Sequence, residues 1–173
     1  MRLFAIPSRC YFRIKLFGFN FTFNFAHIQT LEGVSSLIPN SNGKHIVLWD
    51  IEGCSQEQAE ETLRKVQTSY SLSNIFIVSN APRSFRAWCF SIVDFKTLVK
   101  ILNDTDYVDP NFFDYTVRRK KATLRVSNKR NRPKQEVVAV LESYSVPIPK
   151  VVEKVIYDTG IEKTGISIIL GDE

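Results

Sequence analysis

From His45 to Asn103 the chain alternates between strand-like and helix-like hydrophobic spacing, and each change falls beside a turn or capping residue. Ile46 to Ile51 is a short apolar run of strand length. In SQEQAEETLRKVQTSY, Ser55 and Gln58 have the spacing of a capping box, and Ala59, Leu63, Val66 and Tyr70 then recur on one helical face. IFIVS (75–79) and SFRAWCFS (84–91) are β-rich runs joined by Asn80, Ala81, Pro82 and Arg83, the composition of a hairpin turn. Asp94 then caps DFKTLVKILND, whose Phe95, Leu98, Val99 and Leu102 share a face. Strand, helix, strand, strand, helix is the opening of the split βαβ order of ferredoxin/RRM-like folds, which need one further strand beside the first. ATLRVS (122–127) is the natural candidate for it. The expected fold class is α+β, with an antiparallel sheet.

At 173 residues the chain has the size of one domain. Residues 45–130 form the expected RRM-like core, 1–40 a β-rich N-terminal extension and 131–173 a C-terminal segment. Within the extension, FNFTFNF (19–25) alternates strictly, with four Phe on one face and Asn20, Thr22 and Asn24 on the other. Together with CYFRIKLF and Gly18 it suggests a hairpin. The Phe face suits a core more readily than a base-stacking platform, because a half-buried sheet produces this pattern by itself. Residues 33–44 read as a polar connection. KQEVVAVLESY fits strand or helix, and PKVVEKVIYDTG suggests a short helix from near Pro149 to Gly160.

The net charge of +5 is unevenly placed: nine of the seventeen residues from Arg118 to Lys134 are Lys or Arg, and none is acidic. Such a block suits a polyanionic partner, whose counterions are released on binding; the plainer reading is a solvated basic loop. The three cysteines, Cys10, Cys54 and Cys89, and the two histidines, His27 and His45, lack the spacing of a zinc site or a disulfide framework. A P-loop is also missing. The start, MRLFAIPSRCYFRIK, is interrupted by Pro7, Arg9, Arg13 and Lys15, and no apolar run reaches about 18 residues. A soluble, cytoplasmic protein without membrane contact is expected.

The chemistry centres on VLWDIE. In a strand, Asp50 and Glu52 project from the same face, where two like charges repel unless a cation sits between them. A hard divalent ion such as Mg²⁺ or Mn²⁺ suits oxygen ligands of this kind. Asp109, in YVDPNF, supplies a third acid if the fold brings it alongside, giving a two-metal site for phosphoryl transfer. The competing reading places Asp50 and Glu52 at an ordinary strand end and Asp109 in an Asp-Pro turn.

These segments resemble the archaeo-eukaryotic primase superfamily, the group that includes the primase-polymerases of plasmids, phages and other mobile elements. Its acidic D-x-D or D-x-E motif is similar to VLWDIE, and its later h-D motif is similar to YVDPNF. The resemblance implies Asp50, Glu52 and Asp109 as catalytic metal ligands. TLRVSNK resembles the family's Arg-rich strand and implies that Arg125, Ser127 and Lys129 contact nucleotide phosphates. The family's S-x-H motif departs here: in SNAPRSFRAWCF, Ser84 is followed two residues later by Arg86 where the His is expected. Arg can grip a triphosphate through its planar fork but cannot transfer a proton.

The expected function is a metal-dependent nucleotidyltransferase of the DNA primase/polymerase kind. It would synthesise or extend a strand on single-stranded DNA template from nucleoside triphosphates, with any helicase supplied in trans. Ser84, Arg86, Arg125, Ser127 and Lys129 would hold the nucleotide. Arg118, Arg119, Lys120, Lys121, Arg130 and Arg132 would lie along the nucleic-acid backbone. Phe85 and Trp88 are stacking candidates, of which strand alternation makes at least one core. The alternative is a catalytically inactive accessory protein that binds single-stranded nucleic acid, and a two-metal nuclease would use similar acids.

Overall fold

The computed structural model describes residues 9–16, 19–26, 30–127, 135–147 and 154–158. It is an α+β structure with antiparallel sheets. Strands β1 (Arg9–Leu16) and β2 (Phe19–Ala26) form the expected N-terminal hairpin, paired in register from Arg9↔Ala26 to Leu16↔Phe19. The surroundings of the Phe side chains in β2 lie outside the described residues. The polar connection expected over 33–44 is shorter than that: strand β3 (Thr30–Ser35) takes its first residues, and 36–43 lead into β4 (Lys44–Glu52), where Ile46 to Trp49 are fully buried.

The local signals from 53 to 103 are realised in the structure. Gly53 leaves β4 at φ +83°, a left-handed turn that a side chain would strain, and its amide donates to the Arg83 carbonyl at 2.9 Å. Helix α1 (Gln56–Ser69) begins at the Ser55/Gln58 capping box and buries Ala59, Leu63 and Val66. Strands β5 (Ile75–Ala81) and β6 (Ser84–Asp94) are joined by the tight Pro82-Arg83 turn, with Arg83 at φ 61°. The Asp94 carboxylate accepts from the Thr97 amide at 2.7 Å to start α2 (Phe95–Asn103). Trp49 Nε1–H donates to Thr105 Oγ1 at 3.1 Å, so Trp49 and its alternates Val47 and Ile51 face the layer that α2 occupies.

Beyond Asn103 the structure departs from the sequence expectations. Residues 110–119, given no element by their periodicity, form α3 (Pro110–Arg119), with Asp109 as N-cap and Pro110 in the first turn. Strand β7 (Thr123–Arg125), the segment expected beside the first strand of the core, pairs with β3 instead. Residues 136–141 are a strand, β8 (Glu136–Leu141), antiparallel to β5. The C-terminal helix is corrected too: Lys154–Asp158 is strand β9, paired along β3, and the rest of 149–160 lies outside the described residues. Val155, Ile156 and Tyr157 favour a strand once a partner edge is available, and β3 supplies it.

The main sheet therefore has the order β4-β6-β5-β8, and a second sheet has the order β7-β3-β9. Strands β4 and β5 both pair antiparallel to β6, so they are parallel to each other, with α1 crossing between them. The acid-bearing strand β4, expected to be central, is an edge strand of the main sheet. Its outer edge is covered at both ends instead. Ile46 N–H donates to Ser36 O near the start, and Glu52 N–H donates to Tyr107 O near the finish. Bridge pairs Leu37↔His45 and Ile51↔Val108 flank these contacts. Such cover is one way an edge avoids pairing with another chain. Among the described residues no helix is long and apolar enough to cross a membrane.

Candidate functional site

Asp50, Arg86 and the 107–109 segment meet at the carboxyl end of β4. Register pairs Asp50 with Arg86 of β6, directly opposite and on the same face. Their side chains, 21% and 10% exposed, form an ion pair with Nε 3.7 Å from Oδ1. That separation is beyond hydrogen-bond length, and Asp50 Oδ1 is buried with no hydrogen-bond partner. Burial raises the Asp50 pKa to about 6; the Arg86 charge opposes the rise, Glu52 and Asp109 add to it, and Arg125 opposes it.

Asp109 comes alongside by a route that the strand order did not suggest. No added strand carries it there. The loop after α2 runs down the outer edge of β4, and the Asp109 amide donates to the Asp50 carbonyl at 2.9 Å. Asp109 Oδ1 accepts from the Asn111 amide at 3.0 Å, which fixes the start of α3. The helix then turns Phe112 and Thr116 into the protein and leaves Tyr115 and Arg119, four residues apart, on an outer face. Arg119 Cζ lies 4.9 Å from the centre of the Tyr115 ring, a cation–π contact. Asp50, Asp109, Asn111, Tyr115, Arg119 and Lys121 border one cavity of about 230 Å³, with Thr123 of β7 on its wall.

The sequence-selected residues thus divide into groups. Asp50, Asp109, Arg86, Arg119 and Lys121 meet at or beside the cavity, and Arg125 is close enough for its charge to act on Asp50. Arg125 Nε is itself buried without a hydrogen-bond partner. Glu52 is exposed at the end of β4, and Ser84 is its register partner at the start of β6. Ser127 is engaged elsewhere: its hydroxyl accepts from the Glu32 amide at 3.0 Å. Arg118 is ion-paired with Asp114 at 3.0 Å on an exposed surface, and Lys120 is the left-handed cap that ends α3. Neither borders the cavity. Lys129, Arg130 and Arg132 lie outside the described residues. Phe85 is core, whereas Trp88 is only partly buried and shares the face of Arg86.

Asn111, Tyr115 and Thr123 were not anticipated. The signal was present in DPNFFDYTVRR, an Asp-Pro helix start followed by Phe112/Thr116 and Tyr115/Arg119 at a spacing of four.

Mg²⁺ or Mn²⁺ suits the donor chemistry here: a buried carboxylate oxygen without a hydrogen bond, and a second acid attached to the same strand end. Among the described residues no group of three or more His, Cys, Asp or Glu side chains is already arranged around a common point for a metal ion. The cation that Asp50 holds is the Arg86 guanidinium. No protein-family model matches the chain, and searches of curated proteins and of solved structures return no match.

Proposed function

We propose that the protein is a nucleotidyltransferase of the primase-polymerase kind, acting on single-stranded DNA template with nucleoside triphosphates and a divalent cation. The observation that supports this most is the bond from Asp109 N–H to the Asp50 carbonyl, which sets two acids from distant parts of the sequence beside a cavity bordered by Arg119 and Lys121. The parallel β4 and β5 with β6 between them support an RRM-like core, from which β8, on the β5 side, departs. The same core agrees with the resemblance of VLWDIE and YVDPNF to the primase superfamily.

In this reading Asp50 and Asp109, joined by Glu52 through rotation of its exposed side chain, hold Mg²⁺ or Mn²⁺. The ion supplies charge stabilisation to the oxygens of an in-line phosphoryl transfer. Arg86 and Arg125 bind the triphosphate, and their planar forks match its oxygens. Arg119 and Lys121 hold the template or primer backbone at the cavity rim, and Tyr115, half exposed under the Arg119 guanidinium, offers a ring for a base. Any helicase acts in trans.

The Asp50–Arg86 pair favours a second reading, a single-strand binding accessory protein in which Arg86 neutralises the acid permanently. The main sheet also carries Phe76, Trp88 and Phe90 partly buried on one face, with the Phe76 and Phe90 rings 5.9 Å apart, a surface to which a base could be added. Incubation with primed and unprimed single-stranded template, labelled nucleotides and Mg²⁺ or Mn²⁺ separates these readings. Metal-dependent lengthening of the strand supports the transferase. Salt-sensitive binding without incorporation supports the accessory protein, and shortening of the strand indicates a nuclease.

A further inference from the structure

We propose that Arg86 is an exchangeable counter-ion for Asp50: the guanidinium leaves the carboxylate for the triphosphate of an incoming nucleotide, and the divalent cation takes the place it vacates. This rests on the nucleotidyl-transfer reading above and adds to it an order of events that the Asp50–Arg86 pair imposes.

A pair built only to brace two strands would be expected to close to about 2.7–2.9 Å, with the carboxylate oxygens satisfied by further hydrogen bonds. Here Nε and Oδ1 are 3.7 Å apart, and Oδ1 makes no hydrogen bond although it is buried. One carboxylate oxygen is thus shut away from solvent without a hydrogen-bond donor in return, so a ligand offering direct coordination meets an oxygen that is not already engaged. Arg125 already acts on Asp50 electrostatically, which keeps the acid from being left without any positive neighbour while Arg86 moves. Register sets Arg86 directly opposite the acid, so the guanidinium's travel is a side-chain rotation near the end of the sheet.

The arrangement makes metal and phosphate mutually supporting. A cation arriving alone must displace a neighbouring positive charge, and a triphosphate arriving alone must draw that charge from an acid. When both arrive, each removes the obstacle met by the other, and the coupling is reciprocal. A nucleotide without its cation, or a cation without its nucleotide, is then held weakly.

Two titrations that avoid chelation between the ligands test this. In the first, Mn²⁺ alone is titrated into wild type, Arg86→Gln and Arg86→Lys. Arg86→Gln is expected to bind at least about tenfold more tightly than wild type, and Arg86→Lys, which keeps the charge, is expected to remain weak. In the second, a non-hydrolysable nucleoside triphosphate is titrated in the presence of EDTA into wild type and Asp50→Asn. The variant, in which the Asp50 charge no longer draws on Arg86, is expected to bind at least about tenfold more tightly. The second arm stands alone if Arg86→Gln does not fold. Equal affinities of wild type and variant for their probe overturn the exchange. If wild type binds both probes and extends primers, the nucleotidyl-transfer reading survives that result; if no form binds either probe, both fall.

Discussion

The amide of Asp109 donates to the carbonyl of Asp50 at 2.9 Å, so the loop that carries one acid is stitched to the strand that carries the other. Because this bond belongs to the backbone, the Asp109 side chain can be changed without undoing it. Asp109→Asn keeps an N-cap of equal quality, so its unfolding free energy should stay within about 0.5 kcal/mol of wild type. Asp109→Ala, which removes the bond to the Asn111 amide, should cost about 1 kcal/mol. Urea denaturation of both variants checks the ranking. Equal stability of the two would mean that the cap contributes nothing.

Acid pH should act on the fold through two groups of opposite sign. Folded Asp50 takes up its proton near pH 6, against 3.8 for an ordinary Asp, so between these values the folded chain binds more protons than the unfolded one. Its contribution is therefore most favourable below about pH 4 and is lost as pH rises through 6, a swing on the order of 3 kcal/mol. Buried His45, whose Nδ1 lies 2.9 Å from Ser36 Oγ, has its pKa lowered from 6.5 by burial. Its contribution is complete above pH 6.5 and declines as the pH falls below that value, because the unfolded chain is protonated first. Denaturation curves from pH 4 to 8 should show the gain on acidification vanish in Asp50→Asn while the His45 decline remains. An identical profile for wild type and Asp50→Asn would contradict the first assignment.

The buried indole of Trp49 depends on one hydroxyl beyond α2. Thr105 Oγ1 accepts from Trp49 Nε1–H at 3.1 Å and donates to the Ile101 carbonyl at 2.7 Å. Thr105→Val keeps the volume and removes both bonds, leaving a buried donor unsatisfied, so it should destabilise the protein by about 1–3 kcal/mol. The same substitution in a Trp49→Phe background should cost less, and a double-mutant cycle measures the difference. Additive losses would show that the two residues are not coupled.

Much of the fold was legible because the signals from 45 to 103 are local. Ser55 with Gln58, Asp94 with Thr97, and Pro82 before a left-handed Arg83 each specify geometry within a few residues. What the chain did not disclose locally was pairing. Thr123–Arg125 looks like a strand but carries no mark that chooses β3 over β4, and Lys154–Asp158 has helical spacing until β3 offers it an edge. The site shows the same division. The acids were identifiable by type and position, but the convergence of Asp109 depends on an edge contact of β4, and Tyr115 sits in a short helix marked by its Asp-Pro start and two pairs spaced by four.

If Arg119 and Lys121 bind the phosphate backbone, replacing either with Ala should weaken binding to single-stranded DNA across sequences. It should also reduce the slope of log affinity against log salt by about 0.7 for each phosphate that is no longer neutralised. Arg118→Ala, at an exposed ion pair away from the cavity, should alter the slope less. Fluorescence anisotropy over a salt series reads both effects. Equal slopes for wild type, Arg119→Ala and Lys121→Ala would remove the cavity rim from the interface.

The central claim is that Asp50 and Asp109 act as one unit in phosphoryl transfer, and the most direct test is metal-dependent incorporation by Asp50→Asn, Asp109→Asn and the double variant, each confirmed to be folded. The account predicts a loss of about a hundredfold or more for each single variant and no further loss for the double, as groups serving one step should behave. Incorporation by both single variants within about twofold of wild type, a difference too small for groups that stabilise the transferring phosphate, would contradict it.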